Sequence, residues 1–354
     1  MTHLTDWTIG IDLGDKKSFV YAMNRSTGEV VEDEVSMTES SLQEFLEPWP
    51  RCLVVFEVGG HSRWVKRVIQ GMGFEVLVAD PRRIALITKN TRKNDRNDAM
   101  RLAELATADL AASRLELLNP VEHRADDLQA DLAILKSRDA LVVMRTKLIN
   151  MIRGVVKSCG HRLRSCSTPC FHRLKDDIPD VLSPALAPIF DQLALLTKQI
   201  RAYDRTIENV QEERYPEVGL MMKIRGVGAL TAMAFRLTLG DAKRFKRSRE
   251  AAGYLGLCPK QHQSGSLNKS LGITKCGDRF TRRLLVHSAH YILGHFGEDC
   301  DLRRFGERLT KRGGKAAKKR AAVAVARKLA VVMHRIWADQ SDYKPFMKTP
   351  IVAA

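Results

Sequence analysis

Residues 8–23 read TIGIDLGDKKSFVYAM, and their reading decides the fold of the first part of the chain. TIGIDLG is an apolar run closing on Asp12 and Gly14, and residues 18–23 are apolar again. Gly-Asp-Lys-Lys between them is turn chemistry, so the pattern predicts a β-hairpin. Outward from it, RCLVVFE (51–57) and FEVLVAD (74–80) are further short β-rich runs, each ending on an acid. Residues 61–72 between those two have helical character. Strands interleaved with helices predict an α/β layer built on a mixed sheet.

Beyond the sheet the period changes. DRNDAMRLAELATADL (95–110) sets Ala99, Leu102, Ala103 and Ala106 at helical spacing, and 113–120 reads as a connector. Ile134, Leu141, Leu148 and Val155 then recur every seven residues, with Met144 and Met151 between them. Ile189, Leu193, Leu196, Ile200, Tyr203, Ile207 and Val210 alternate steps of four and three. Both are heptad seams. Gly160, Pro169, Pro179, Pro184 and Pro188 separate them, so a helical hairpin, a dimerising coiled coil and ordinary bundle core all fit. A mainly α C-terminal unit follows. It opens on Ile224-Arg-Gly-Val-Gly228, carries a Gly/Ser/Lys-rich loop over 260–277, and ends in a basic helix with Val325, Leu329, Val332 and Ile336 as its apolar positions. The expected divisions are 1–112, 113–215 and 216–346, with 347–354 as a tail.

The chain has 354 residues, with 58 Lys and Arg against 41 Asp and Glu, a formal charge of +17. A field of that sign favours a polyanionic partner, nucleic acid first. No apolar run approaches the ~18 residues of a transmembrane helix. The first residues, MTHLTDWTIGIDLGDKK, carry acids where a signal peptide is apolar, so a cytoplasmic protein is expected. Seven scattered cysteines suit reduced thiols. Trp49, Trp64 and Trp337 sit among apolar neighbours and read as core.

Four acids stand out. Asp12 and Glu57 end strands, and Asp95 and Asp98 lie three apart on one face of the helix that starts there. As strand-end or helix-start residues each has an ordinary structural explanation. As a set they form an oxygen-only ligand group for a hard cation, Mg²⁺ or Mn²⁺, suited to phosphodiester chemistry. IGIDLGDKKSFV, VVFEVGG and KNDRNDAMRLAEL resemble the Asp-Glu-Asp-Asp domain of one insertion-sequence transposase family. That resemblance implies an RNase H-like fold, related to Holliday-junction resolvases, with Asp12, Glu57, Asp95 and Asp98 as the metal-binding catalytic acids. Lys89 and Lys93, just before the acid pair, are candidates for phosphate contact.

The segment YLGLCPKQHQSGSLNKSLGITKCGDRFTRRLLVHSA (254–289) surrounds Ser264-Gly265 with Lys260, His262, Lys269, Lys275, Arg279, Arg282 and Arg283. A serine in a Gly-rich loop is ordinarily a turn residue. The surrounding cations would hold DNA phosphate and stabilise developing charge. The segment is similar to the C-terminal domain of the same family, which carries a nucleophilic serine. Matching Pro259, Gln261, Gly265, Lys275 and Gly277 places that serine at Ser264. The chain departs from the pattern at Gln263, Ser266 and Thr274, and Ser266 remains a rival nucleophile. The resemblance further implies a covalent phosphoserine intermediate, a homo-oligomer (dimer or tetramer), and a structured noncoding guide RNA that pairs with donor and target DNA. Two other readings stay open: a metal-dependent nuclease or junction resolvase with a structural Ser264, and a non-catalytic nucleic-acid-binding protein.

Three further features carry chemistry. Arg225-Gly-Val-Gly228 resembles a helix-hairpin-helix turn, with Gly226 and Gly228 letting backbone approach phosphate. Cys159, His161, Cys166, Cys170 and His172 are zinc-type ligands without paired CxxC spacing, which favours free thiols. Arg303, Arg304, Arg308, Lys311, Arg312, Lys315, Lys318, Lys319 and Arg320 form a basic run expected to meet phosphate.

Overall fold

The computed structural model describes residues 6–81, 94–111, 118, 120–264, 267–311 and 313–346. The chain forms two compact units, Met1–His123 and Arg124–Ala354. The first is a mixed sheet of β1 (Trp7–Asp12), β2 (Lys17–Asn24), β3 (Val30–Ser36), β4 (Leu53–Glu57) and β5 (Glu75–Ala79) in the order β3-β2-β1-β4-β5. β1 and β2 form the expected antiparallel hairpin, and β4 and β5 run parallel to β1. This order is consistent with the RNase H-like expectation.

Both faces of β1 are covered, which is why its four middle residues are all buried. On one face Ile9, Val54 and Phe56 pack with Leu42 and Leu46 of α1 (Glu39–Leu46) and Val65 and Ile69 of α2 (Ser62–Gly71). Trp49 and Trp64 lie half-buried against this cluster. On the other face α3 (Asp95–Ala111) sets Leu102 and Ala106 against Leu53, Val55 and Leu77. β3, VVEDEVS, was not legible as a strand, because only Val35 is buried and the rest faces water. Acidic residues along such an edge discourage pairing with another sheet.

The second unit opens with α4 (Asp126–Ser158) and α5 (Ser183–Arg214). They pair as an antiparallel hairpin within one chain. Asp131 meets Arg214, Arg138 Nε donates to Asp204 at 2.8 Å, and Arg145 donates to Thr197 at 3.3 Å. Short 3₁₀ segments, the longer over Thr168–Asp177, close the far end, where Phe171 stacks on Phe190 at 5.8 Å. α5 starts inside the proline-rich segment, at Ser183, because a proline in the first helical turn costs no hydrogen bond.

The seam 134/141/148/155 is half-buried, with Ile134, Leu148 and Val155 packed against the cores from the side. The fully buried face of α4 is Leu132, Leu135, Ile149, Ile152 and Val156, with Asp131 and Arg145 buried among them. Asp131, Arg138 and Arg145 are themselves seven residues apart, so polar side chains hold the centre line of the interface. Counting apolar residues alone moves the stripe sideways, leaving Met144 and Met151 exposed.

The remainder is helical except for one hairpin: α6 (Val218–Met222), α7 (Ala229–Leu239), α8 (Ser248–Tyr254), β6 (Pro259–Ser264), β7 (Leu267–Ile273), α9 (Arg279–Leu293), α10 (Asp301–Thr310) and α11 (Gly314–Asp339). α11 supplies Val325, Leu329, Met333, Ile336 and Trp337 to a core shared with α7 and α9. Leu132, Leu135 and Ile207, at the root of the long hairpin, belong to that same core. The cysteines among the described residues are free thiols. No helix among those residues is long and apolar enough to cross a membrane.

The two buried polar layers should respond oppositely to substitution. Asp131 accepts from Arg214 and from the Tyr215 hydroxyl at 2.7 Å, and burial followed by that bond pushes the Tyr215 phenol up. Asp131→Ala strands both donors and should cost about 3 kcal/mol in urea unfolding. Arg145 has one neutral partner and an unpaired Nε, and burial followed by the Arg138 charge pulls its pKa down. Arg145→Met should leave stability unchanged or raise it.

Candidate functional site

β1 and β4 are parallel neighbours with Ile11 opposite Phe56, so Asp12 and Glu57 leave the sheet side by side at its carboxyl edge. α3 crosses the opposite face. A Cβ on Gly10 would fall 2.2 Å from the Ala99 carbonyl oxygen and 2.8 Å from the Ala103 nitrogen, so only glycine permits this approach. Further along α3, the Thr107 hydroxyl reaches Met23 Sδ at 3.8 Å, and Met23 pairs with Thr8 at the start of β1. The helix therefore runs against β1 and brings its first turn, with Asp95 and Asp98, to the edge that carries Asp12 and Glu57. Asp98 is buried and Asp95 exposed. Neither is the helix cap: Asn94 Oδ1 accepts from the Asn97 amide at 2.7 Å. Their negative charge suits the amino end of the helix dipole.

These carboxylates are the donor type a hard cation takes. Among the described residues, no three His, Cys, Asp or Glu side chains stand close enough together to hold an ion between them. Lys89 and Lys93 lie outside the described residues. One pair at this edge was missed by the sequence reading. Trp64 Nε1 donates to His61 Nδ1 at 3.2 Å, which leaves the proton of a neutral imidazole on Nε2, 3.4 Å from Asp15. His61 follows β4 and Asp15 follows β1, so the loops carrying Glu57 and Asp12 are tied together.

In the second unit, β6 and β7 pair as antiparallel strands within the span expected to be a loop. Its strands, PKQHQS and LNKSLGI, are too polar for alternation to reveal them. Ser264 is the last residue of β6, opposite Leu267, and His262 pairs with Lys269. The side chains of Ser264, His262 and Lys269 lie outside the described atoms.

The root of the hairpin is braced. Gly277 has φ +74, and a Cβ there would lie 2.0 Å from the Tyr254 carbonyl oxygen. One Arg282 nitrogen donates to the carbonyls of Leu255 at 3.0 Å and Cys276 at 2.8 Å. Asp278 caps α9 through the Thr281 amide at 2.8 Å and meets Lys136 at 3.3 Å. Arg283 pairs with Asp139 at 2.5 Å. Arg282 and Arg283 thus hold the scaffold, whereas Lys260, Lys275 and Arg279 are exposed for contact. At the glycine turn the Val227 amide donates to the Ile224 carbonyl at 2.9 Å, Gly226 has φ +93, and Gly228 precedes α7 with no side-chain cap.

A mixed sheet backed by helices on both faces, followed along the chain by a mainly helical unit with one polar two-stranded ribbon, is compatible with a DNA transposase. The chain belongs to the IS116/IS110/IS902 transposase family. Residues 218–306 match the model of that description, and residues 9–160 match a second model described as a transposase of the Asp-Glu-Asp-Asp type. It is 33% identical over 304 residues to the transposase for insertion sequence element IS1111A of Coxiella burnetii, covering 83% of this chain and 79% of that one. A probable family 20 transposase of Pseudomonas aeruginosa is 26% identical over 95% of this chain and 98% of its own. The pilin gene-inverting protein of Moraxella bovis is 29% identical over 36% of this chain and 39% of its own. The protein is accordingly an enzyme that cleaves and rejoins DNA.

Two substitutions test the scaffold. Gly10→Ala should push α3 off the sheet, cost about 1–3 kcal/mol in urea unfolding, and reduce DNA cleavage more than an equal loss at a remote site. For Asp278, burial raises the carboxyl pKa, but the Thr281 amide and Lys136 outweigh it and the net shift is downward. Its stabilisation is complete above the unfolded value of about 3.9 and is lost as pH falls through the lower folded value. Acid unfolding monitored below about pH 4 should be shallower in Asp278→Asn than in the unsubstituted protein.

Proposed function

We infer that this transposase cuts DNA by direct attack of Ser264 and that the acidic edge of the first unit assists. The observation that supports this reading most is the placement of Ser264 at the end of β6, on a hairpin whose root is fixed by Gly277 and Arg282. A nucleophile presented this way keeps its position as strand ends are exchanged. In the step, a bond forms from Ser264 Oγ to phosphorus as one P–O bond of the backbone breaks. The serine proton passes to a base, and the departing oxygen takes up a proton. Reversal with a second strand end restores the serine and seals the DNA.

Asp12, Glu57, Asp95 and Asp98 would hold Mg²⁺ or Mn²⁺, in the RNase H-like frame that the family resemblance implies. Bound there, the ion supplies charge neutralisation at the phosphodiester. Lys260, Lys269, Lys275 and Arg279 would hold the backbone flanking the cut, and the Gly226–Gly228 turn a second phosphate. Family resemblance supports a noncoding guide RNA as the source of sequence choice. The exposed stripe of α4, with Met144 50% and Met151 39% accessible, supports self-association through a coiled coil, as dimer or tetramer.

The deciding assay is a denaturing gel of protein, flanking RNA, end-labelled element DNA and Mg²⁺. A protein-linked DNA band should form with the unsubstituted chain, vanish in Ser264→Ala, and fall at least a hundredfold in Asp12→Ala. Cleavage without a linked band, untouched by Ser264→Ala, would instead identify a metal-dependent nuclease.

A further inference from the structure

A groove of about 1710 Å³ opens in the second unit between the root of the β6–β7 hairpin and helices α10 and α11. That is larger than the ~300–1,000 Å³ typical of small-molecule sites, and suits a length of polymer. Its floor is apolar and partly open: Leu271, Phe305, Val323, Val331, Val332 and Tyr343. Its rim is cationic: Arg249, Lys275, Arg308, Lys319, Arg320 and Arg327. The acids that also border it are already engaged. Asp342 pairs with Lys223 at 2.5 Å, Asp339 with Arg335 at 3.5 Å, and Asp301 has a partner of its own.

The basic run of the sequence resolves here into two parts. Arg303 turns inward and donates to the carbonyls of Ile292, Gly294 and Gly297 at 2.8–3.0 Å, and Arg304 grips Asp299. Neither is available to a phosphate without breaking those bonds. Arg308, Lys319 and Arg320 remain exposed along the groove.

We propose that this groove binds an unpaired DNA strand next to the cleavage site, bases against the apolar floor and phosphates along the cationic rim. The inference rests on the serine reading for the place of the cut and for the choice of DNA as the strand. A duplex keeps its bases stacked inside and offers such a floor nothing, whereas a single strand presents apolar base faces and charged backbone together. Tyr343 supplies aromatic surface for base contact, and Phe305 carries the Lys328 ammonium 4.0 Å from its ring centre, adding a cation at the floor. Pro259, at the groove, is five strand steps from Ser264, roughly 17 Å at about 3.4 Å per residue. DNA, rather than RNA, is assigned because the groove is continuous with the hairpin that carries the serine. Strand exchange must expose unpaired DNA beside that residue.

The test measures binding of a fluorescent 12-nucleotide dT strand to full-length Ser264→Ala protein, beside the matching DNA duplex and a U strand. Using the serine variant separates this question from the covalent chemistry: failure of the adduct assay leaves the groove result intact, and the reverse. The dT strand should bind about tenfold more tightly than the duplex. Arg308→Gln with Arg320→Gln should weaken it about tenfold and make the slope of log K against log salt shallower by about 1.4, from about 0.7 per lost phosphate contact. Arg162→Gln with Arg173→Gln, which removes equal charge from exposed sites away from the groove, should have a smaller effect. Leu271→Ser, at a position 43% accessible and so tolerant of change, should weaken binding several-fold without altering the slope. Equal affinity for duplex with no effect of Leu271→Ser would overturn the proposal. So would tighter binding of the U strand, or groove variants that change only the mass of the assembly, which would assign the groove to another copy of the chain.

Discussion

At Gly10 the backbone of β1 meets the backbone of α3 with no side chain between them, and the acidic edge depends on that meeting. The helix carries Asp95 and Asp98 in its first turn, and the strand carries Asp12 two residues beyond the contact. A side chain at Gly10 would lift the helix and part the two acid pairs. Small residues on the helix, Ala99 and Ala103, complete the close approach from the other side. Carboxylates brought near one another repel, so any approach of these acids is set by rigid backbone rather than by their own contacts.

The serine hairpin shows the same division of labour. Its strands are polar in sequence, and its root is held by several specific contacts. Arg282 bridges two carbonyls, Gly277 sits against the Tyr254 carbonyl, and Asp278 binds both α9 and Lys136 of α4. Cations that look alike in the sequence have therefore separated into two jobs. Arg282, Arg283 and Arg303 satisfy buried carbonyls and carboxylates, while Lys275, Arg308 and Arg320 face solvent. Net charge describes the sum and says nothing of this partition.

The helical hairpin follows a different constraint. Asp131, Arg138 and Arg145 run along its centre at heptad spacing, each meeting a polar residue of α5. Polar layers in an otherwise apolar interface make any other register costly, because a slipped alignment would bury unpaired charges. The helices thereby give up some apolar contact for a single alignment. Their leftover stripe at Met144 and Met151 remains on the surface.

The sequence by itself determined the β1–β2 hairpin, the strands β4 and β5 and the existence of the long helices, because those elements bury recurring apolar residues between turn signals. It did not reveal β3, which buries one residue, or β6 and β7, which are polar ribbons held by their root. The face of α4 that pairs with α5 was also hidden, since its central positions are charged. Only the tertiary structure decided which arginines are scaffold and which face solvent, that Asn94 and not an aspartate caps α3, and that an apolar floor lies under the basic run of α10 and α11. The physical reason is common to all of these. Burial patterns are local and periodic, and so are written in the order of residues, whereas the partners of a charge are chosen by what folding brings within about 3 Å of it.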